Sequence, residues 1–355
     1  MRLAYLAFDV PHARQASHTH ISEIVRNLTA LGWSVELFAP DANKPASSSM
    51  TKFIAYARII AALAFRLRTF DVLYVRSHPA SWPVSALAGI QRIPIVQEVN
   101  GTELDVIVTR PWLRFIRPVV TWLYRSQFQM AAHLFTVTDE LASWVRKSIP
   151  TANISTVPNA ANVDLFVPAS AISEPPFVVF VGSLTAWHGV ELMINAVRSD
   201  MWPEGVRLRI VGSGAMTEAV QQAAGSGAPI DWLGARPYRE IPALMSGALA
   251  GLVPITNPKG RSSTGVLPLK LFEMMSCGLA TIVTDLPGQA DLVRNGDCGL
   301  VIEPTPDALA HAVSSLAANL QQARVLGERA AALVRASHTW ANRAQTIDAV
   351  LRRLC

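Results

Sequence analysis

A polar loop with two cations, Pro258-Lys259-Gly260-Arg261-Ser262-Ser263-Thr264-Gly265, runs through Val266 and Leu267 into Pro268-Leu269-Lys270-Leu271-Phe272-Glu273-Met274-Met275-Ser276-Cys277-Gly278. Pro268 is placed for the first turn of a helix and Gly278 for its end. The free N–H groups of a helix start, together with Lys270, complement a diphosphate. Glu273 follows three residues later on the same helix face. A carboxylate there accepts hydrogen bonds from both hydroxyls of a ribose. The competing account is a solvated Lys–Glu pair, and the apolar neighbours on this face speak against it.

Two further glycine turns follow apolar runs. Val181-Gly182-Ser183-Leu184-Thr185-Ala186-Trp187-His188-Gly189 leads into a predicted helix, Val190–Arg198. Gly182 permits a tight exit from the strand and Gly189 opens the helix. The helix start then forms an anion site, to which His188 adds a donor. An ordinary strand-to-helix turn with a surface histidine is the alternative. Ile210-Val211-Gly212-Ser213-Gly214 is a third turn of this kind, a pattern common to such connections. In the first half, His20, Glu98, Asn100 and Glu103 are polar groups at predicted strand ends or at the first helix start, and for His20 an exposed helix-start histidine competes.

The elements that must position these groups alternate between short apolar runs and longer helical patterns. Strands are predicted over Arg2–Phe8, Ser34–Ala39, Asp71–Arg76, Ile93–Glu98, His133–Thr138 and Asn153–Val157. In the second half they are predicted over Phe177–Gly182, Val206–Gly212, Ile230–Gly234, Leu249–Pro254, Ala280–Asp285 and Gly299–Glu303. Runs such as Phe177-Val178-Val179-Phe180-Val181 suit parallel strands buried on both faces. Helical stretches of roughly 10–15 residues between them indicate βαβ units. We therefore expect an α/β protein of two Rossmann-like, doubly wound domains facing across a cleft, with ligands at the carboxyl ends of the strands. Pro168, Ser170, Ser173, Pro175 and Pro176 place the boundary between domains at 1–168 and 169–338. A helix over 339–355 is expected to pack back toward the first domain.

The chain has 355 residues, of which 50% are apolar and 16% charged, which excludes a disordered protein. Cys277, Cys298 and Cys355 are far apart and match no zinc or disulfide framework, and no carboxylate-rich metal cluster stands out. The opening apolar run is too short for a signal peptide, and no uncharged stretch reaches the ~18–20 residues of a spanning helix. A cytoplasmic protein, soluble or peripheral on the cytoplasmic membrane face, is expected. Of the net charge of +5, residues 1–168 carry all, with 16 Lys/Arg against 11 Asp/Glu; residues 169–355 hold 15 of each. An acidic partner is expected to meet the first half.

Taken in order, these segments resemble the GT-B glycosyltransferases of retaining family 4 along nearly the whole chain. Val157-Pro158-Asn159-Ala160-Ala161-Asn162-Val163-Asp164-Leu165-Phe166-Val167-Pro168 is similar to the family's interdomain pattern. Phe180-Val181-Gly182-Ser183-Leu184 with Trp187-His188-Gly189 resembles its phosphate-binding turn, and Pro268–Glu273 its donor-binding helix. Thr284–Val293 and Gly296–Ile302 resemble the next loop and the final strand. The resemblance implies a nucleoside-diphosphate sugar as donor substrate in the second domain, with no other cofactor and no required metal. It implies a glycan, lipid-linked or small-molecule acceptor in the first domain and transfer with retention at the anomeric carbon. On it, Gly182, Ser183, His188, Gly189, Gly212, Arg261, Val266, Leu267, Lys270 and Glu273 hold the donor, and His20, Asn100, Gly265 and Lys270 stand at the reacting centre.

The sequence also departs from that pattern. Ser183 and His188 occupy positions where the family often has Arg and Lys, so Lys270, Arg261 or Lys259 must supply the charge. The first of the family's two glutamates falls at Gly265, and backbone amides of Gly265–Leu267 are expected to face the sugar instead. The glycine pair before the first helix falls near Gln15 and Ala16, and a frequent histidine aligns with Asn100. The resemblance implies that the leaving diphosphate itself accepts the acceptor's proton, so that the enzyme supplies positioning and charge stabilisation and needs no strong base. A degenerate, non-catalytic binding subunit and a sugar-nucleotide epimerase stand as alternatives. No Gly-x-Gly-x-x-Gly follows the first strand, as a dehydrogenase needs, and no nucleic-acid-binding module is present.

Two basic, aromatic stretches of the first half, Lys52–Arg68 and Val106–Thr138, the second holding Arg110, Arg114, Arg117 and Arg125, contain no acid. Such helices either lie on an anionic membrane surface or cover the sheet with their arginines solvated.

Overall fold

The computed structural model describes residues 1–9, 16–41, 49–104, 107, 111–256 and 263–355, and the side chains of residues 16, 49 and 111–113 also lie outside that description. The chain forms two compact units, the first Met1–Pro158 with Trp340–Cys355, the second Asn159–Thr339. Each is built on a six-stranded sheet.

In the first unit the strands are β1 (Arg2–Leu6), β2 (Ser34–Phe38), β3 (Val72–Arg76), β4 (Ile95–Val99), β5 (His133–Thr136) and β6 (Ile154–Thr156). The helices are α1 (Ala16–Ala30), α2 (Ser49–Arg66), α3 (Trp82–Ile90), α4 (Arg117–Met130) and α5 (Asp139–Ser148). The order is β2-β1-β3-β4-β5-β6, all parallel. One face of the sheet buries Ala4, Leu6, Phe8, Leu73 and Val75 against Leu63 of α2, Leu67 in the 3-10 turn just past its end, and Val84 and Ala88 of α3. Helix α5 shows how local chemistry sets an end. Thr138 Oγ1 accepts a hydrogen bond from Leu141 N at 3.1 Å, and Asp139 and Glu140 in the first turn oppose Arg146 and Lys147 in the last.

The second unit contains β7 (Phe177–Val181), α6 (Val190–Ala196), β8 (Arg207–Val211), α7 (Thr217–Gly225), β9 (Ile230–Trp232), α8 (Ile241–Met245), β10 (Ala250–Val253), α9 (Leu269–Ser276), β11 (Ala280–Thr284), α10 (Gln289–Gly296), β12 (Gly299–Ile302), α11 (Pro306–Ala318) and α12 (Leu320–Ser337). Its order is β12-β11-β10-β7-β8-β9, again parallel. The chain reverses direction across the sheet between β7 and β10, the switch point at which open sheets of this type bind ligands. Both faces are covered, one by Val190, Met193, Leu309 and Val313, the other by Leu271, Phe272, Met274 and Met275.

Three local expectations differ from the structure. Residues 159–168 belong to the second unit, ahead of the boundary read at 168/169, because Phe166 is fully buried in that core and its carbonyl accepts Ser276 Oγ at 2.6 Å. Helix α6 stops at Ala196, two residues short of Arg198. Pro268 caps α9 in an extended conformation, with ψ 149°, and the first turn begins at Leu269. The last helix, α13 (Trp340–Leu354), packs on α1: Trp33 Nε1 donates to Asp348 Oδ1 at 2.6 Å and Arg352 Nη2 to Leu31 O at 2.8 Å.

Candidate active site

Three loops meet at the carboxyl edge of β7, β8 and β10, and glycine lets them meet. Gly212 has φ +150°, and a Cβ there would lie 1.9 Å from Gly182 O. Gly189 has φ +75°, and its Cβ would lie 1.9 Å from Pro254 O, just past β10. Neither contact tolerates a side chain. The Gly182, Gly189 and Gly212 amides are all engaged, donating to Val211 O, Ala186 O and Gly234 O.

Lys270 and Glu273 stand on α9 with both side chains buried. Lys270 Nζ lies 4.0 Å from the centroid of the Phe180 ring, and Gly182 leaves it room. Among the described residues it has no hydrogen-bond partner. Burial without a partner disfavours the ammonium and brings Lys270 down to about 7, against the pull of Glu273. Burial likewise raises Glu273 to about 7, although Tyr238 Oη donates to its Oε1 at 2.9 Å. A buried cation lacking an acceptor, one helical turn from a buried carboxyl that receives, among the described residues, a single hydrogen bond, from Tyr238, calls for a ligand rich in both acceptors and donors. Tyr238 was missed at the sequence level: it lies 35 residues before Glu273 in the segment after β9, and no local spacing joins them.

The remaining sequence candidates divide. His188 Nδ1 lies 2.6 Å from Ser183 O and 3.1 Å from Thr185 Oγ1, so this nitrogen holds its own turn together. The Val266 amide donates to Pro287 O at 2.9 Å, which corrects the expectation that it faces a sugar. Leu267 O accepts Asn159 Nδ2 at 2.7 Å, tying the approach to α9 to the chain that enters this unit. Gly265 takes φ +75°. Arg261 and Lys259 lie outside the described residues.

In the first unit, Glu98 gathers the polar groups at the carboxyl edge of β1, β3 and β4. Its Oε1 accepts Asn100 Nδ2 at 2.6 Å and Arg76 Nη1 at 2.7 Å, with His20 Nε2 at 2.8 Å; its Oε2 accepts Tyr74 Oη at 2.7 Å. Arg76 Nε also donates to Asp9 Oδ2 at 2.5 Å. Burial alone would raise Glu98, but His20, Arg76 and Asn100 outweigh it and hold the carboxyl well below its usual range. Burial lowers His20. The imidazole is 2% exposed and packs edge-on against Trp340 of α13 at 5.2 Å, so it is not a surface histidine. Glu103 is also buried, 3.9 Å from Arg117. Arg76 and Trp340 escaped sequence reading because β3 and α13 reach this cluster only through the fold.

Two parallel six-stranded sheets with flanking helices, each with its ligand-type loops at the strand ends, define the GT-B class of two-domain α/β enzyme. The pattern described as Glycosyl transferases group 1 matches residues 175–319, and that of Glycosyltransferase Family 4 matches residues 17–165. The chain belongs to this glycosyltransferase family. It is 24% identical over 269 residues to alpha-maltose-1-phosphate synthase of Mycolicibacterium smegmatis, covering 66% of this chain and 67% of that protein. Its fold is similar to sucrose-phosphate synthase from Thermosynechococcus elongatus, with TM-score 0.80, 17% identity and coverage of 99% and 98%. It is also similar to Anabaena HepE in complex with UDP, with TM-score 0.74, 19% identity and coverage of 99% and 100%. HepE has further been solved with UDP-glucose.

Proposed function

We propose that this glycosyltransferase takes its sugar from a nucleoside diphosphate held in the second unit and transfers it with retention to an acceptor held in the first. The observation that carries this reading is Lys270: a buried ammonium on α9, without a partner among the described residues, beside the Gly182 turn and one helical turn before Glu273. A diphosphate supplies the missing acceptors, and ribose hydroxyls supply donors to Glu273.

As the bond from the anomeric carbon to the diphosphate oxygen breaks, negative charge grows on the leaving group, and Lys270 stabilises it without a metal. The acceptor oxygen attacks on the same face, and its proton passes to the leaving diphosphate oxygen. Glu98 supports this reading by what it does not do. Three neighbours hold its ionised form, so it orients Asn100 and His20 and serves poorly as a base. The acceptor is a glycan, a lipid-linked sugar or a small molecule.

Incubation with a panel of nucleotide sugars, UDP-glucose first, is expected to release nucleoside diphosphate, unaffected by chelators. Proton NMR of the product is expected to show the donor's anomeric configuration. An inverted product would remove retention, and no nucleotide release from any donor would remove the catalytic reading.

A further inference from the structure

In the first unit α2 packs beside α3 and α3 beside α4. These three helices and the 3-10 turn Pro111–Ile116 before α4 contain no Asp or Glu at all. The other helices of the unit carry Glu23 on α1, Asp139 and Glu140 on α5, and Asp348 on α13. The acid-free layer holds Lys52, Arg58 and Arg66 on α2, Arg114 in the turn, and Arg117 and Arg125 on α4. Two of these are engaged, Arg66 with Glu36 and Arg117 near Glu103.

Helix α2 is apolar on two opposite faces. Tyr56, Ile59, Ile60 and Leu63 turn to the core. On the other side Met50, Ile54, Ala61 and Phe65 recur at helical spacing around Arg58, all exposed, with Phe65 at 91%. Phe53, 70% exposed, flanks that stripe. A helix apolar all round is ordinarily buried all round. The stretch leading into α4 repeats the pattern: Phe115 is 74% exposed and Trp122 54%, with Val119 between them. Scattered apolar residues need no partner, but stripes repeated on two helices of one layer do.

We propose that this layer docks on an anionic phospholipid bilayer, lying in the interface with its aromatic and aliphatic side chains in the headgroup region and its cations on the lipid phosphates. Charge complementarity selects this occupant. A layer whose own helices carry cations and no acid is disfavoured against its own copy and favoured against a negative sheet of charge. Among the described residues no helix is long and apolar enough to cross the membrane, which fits helices that lie flat. The proposal goes beyond the transferase reading, since it needs neither donor nor acceptor.

The test is flotation of the full chain, without nucleotide sugar, on vesicles of equal parts phosphatidylcholine and phosphatidylglycerol and on phosphatidylcholine alone. Binding is expected only to the anionic vesicles and is expected to weaken with salt. Arg58→Gln and Arg114→Gln are each expected to weaken it roughly fivefold. Phe65→Ser and Phe115→Ser are expected to weaken it at every salt concentration, while Arg324→Gln in the second unit leaves it unchanged. All five positions are exposed, and circular dichroism melts check that each variant folds. Absence of flotation at low salt, or equal binding to neutral vesicles, overturns the proposal. So does a dimer in sedimentation that Phe65→Ser dissociates, which would give this face to a second copy of the chain.

Discussion

Lys270 reaches from α9 to the end of β7, where its Nζ stands 3.2 Å from the point that a Cβ on Gly182 would occupy. The ammonium therefore fills the space that this glycine leaves empty, at the turn where a diphosphate is expected. Lys270→Ala is expected to cost ~1.5–3 kcal/mol of nucleoside diphosphate binding, the range for hydrogen bonds to charged groups, and little of nucleoside binding. Titration calorimetry with both ligands measures the difference, and an equal loss for the two would refute the assignment.

Glu273 and Tyr238 form the other half of the site. Glu273→Ala is expected to cost ~1–3 kcal/mol of donor binding by leaving ribose hydroxyls unpaired. Tyr238→Phe removes only the hydrogen bond that aims the carboxyl and is expected to cost about 0.5–1.5 kcal/mol. The sharper comparison uses a nucleotide lacking its 2′-hydroxyl: in Glu273→Ala the affinities for the two nucleotides should converge. If the wild-type preference persists in that variant, Glu273 does not hold the ribose.

The same pair sets a pH dependence. In the ligand-free protein burial brings Lys270 down to about 7 and Glu273 up to about 7. A diphosphate selects the ammonium, so this contribution to affinity falls as pH rises through about 7. Ribose hydroxyls select the carboxylate, so that contribution falls as pH drops through about 7. Donor affinity is expected to peak near neutrality, losing its alkaline limb in Lys270→Ala and its acid limb in Glu273→Gln. Calorimetry across pH, in buffers of different ionisation heat, reads both limbs; a flat profile in the wild type removes the linkage.

The strand framework was legible because parallel strands covered on both faces must be continuous apolar runs, as Phe177–Val181 and Ala280–Thr284 are. Lys270 and Glu273 were legible because one helix carries both at a spacing that local geometry dictates. Tyr238 was not, since its bond to Glu273 depends on where the segment after β9 is carried by the fold. Nor was the engagement of the Val266 amide, for Pro287 reaches it from the far side of β11. The domain boundary was misplaced for a related reason. A stretch rich in Pro and Ser reads as a linker, yet the turn before it, through Phe166, is anchored by side chains more than a hundred residues away, Ser276 among them.

The charge cluster under α13 gives the last expectation. Glu98 is buried with Arg76, Asn100, Tyr74 and His20 around one carboxylate, and Arg343 of α13 donates from Nη2 to Val157 O at 2.5 Å nearby. Glu98→Gln keeps the shape and removes the charge, leaving the Arg76 guanidinium short of a partner in a water-poor site. Losing one member of a buried pair typically costs ~3–5 kcal/mol, so the variant should melt at clearly lower urea. The sign with pH follows from the depressed carboxyl. Its stabilisation is present above the ordinary carboxylate range and is lost as pH falls through the lower, folded-state value. Wild type should therefore lose more stability than Glu98→Gln on acidification, and the two urea midpoints should approach each other in acid. Midpoints that coincide at neutral pH would show that Glu98 holds nothing together.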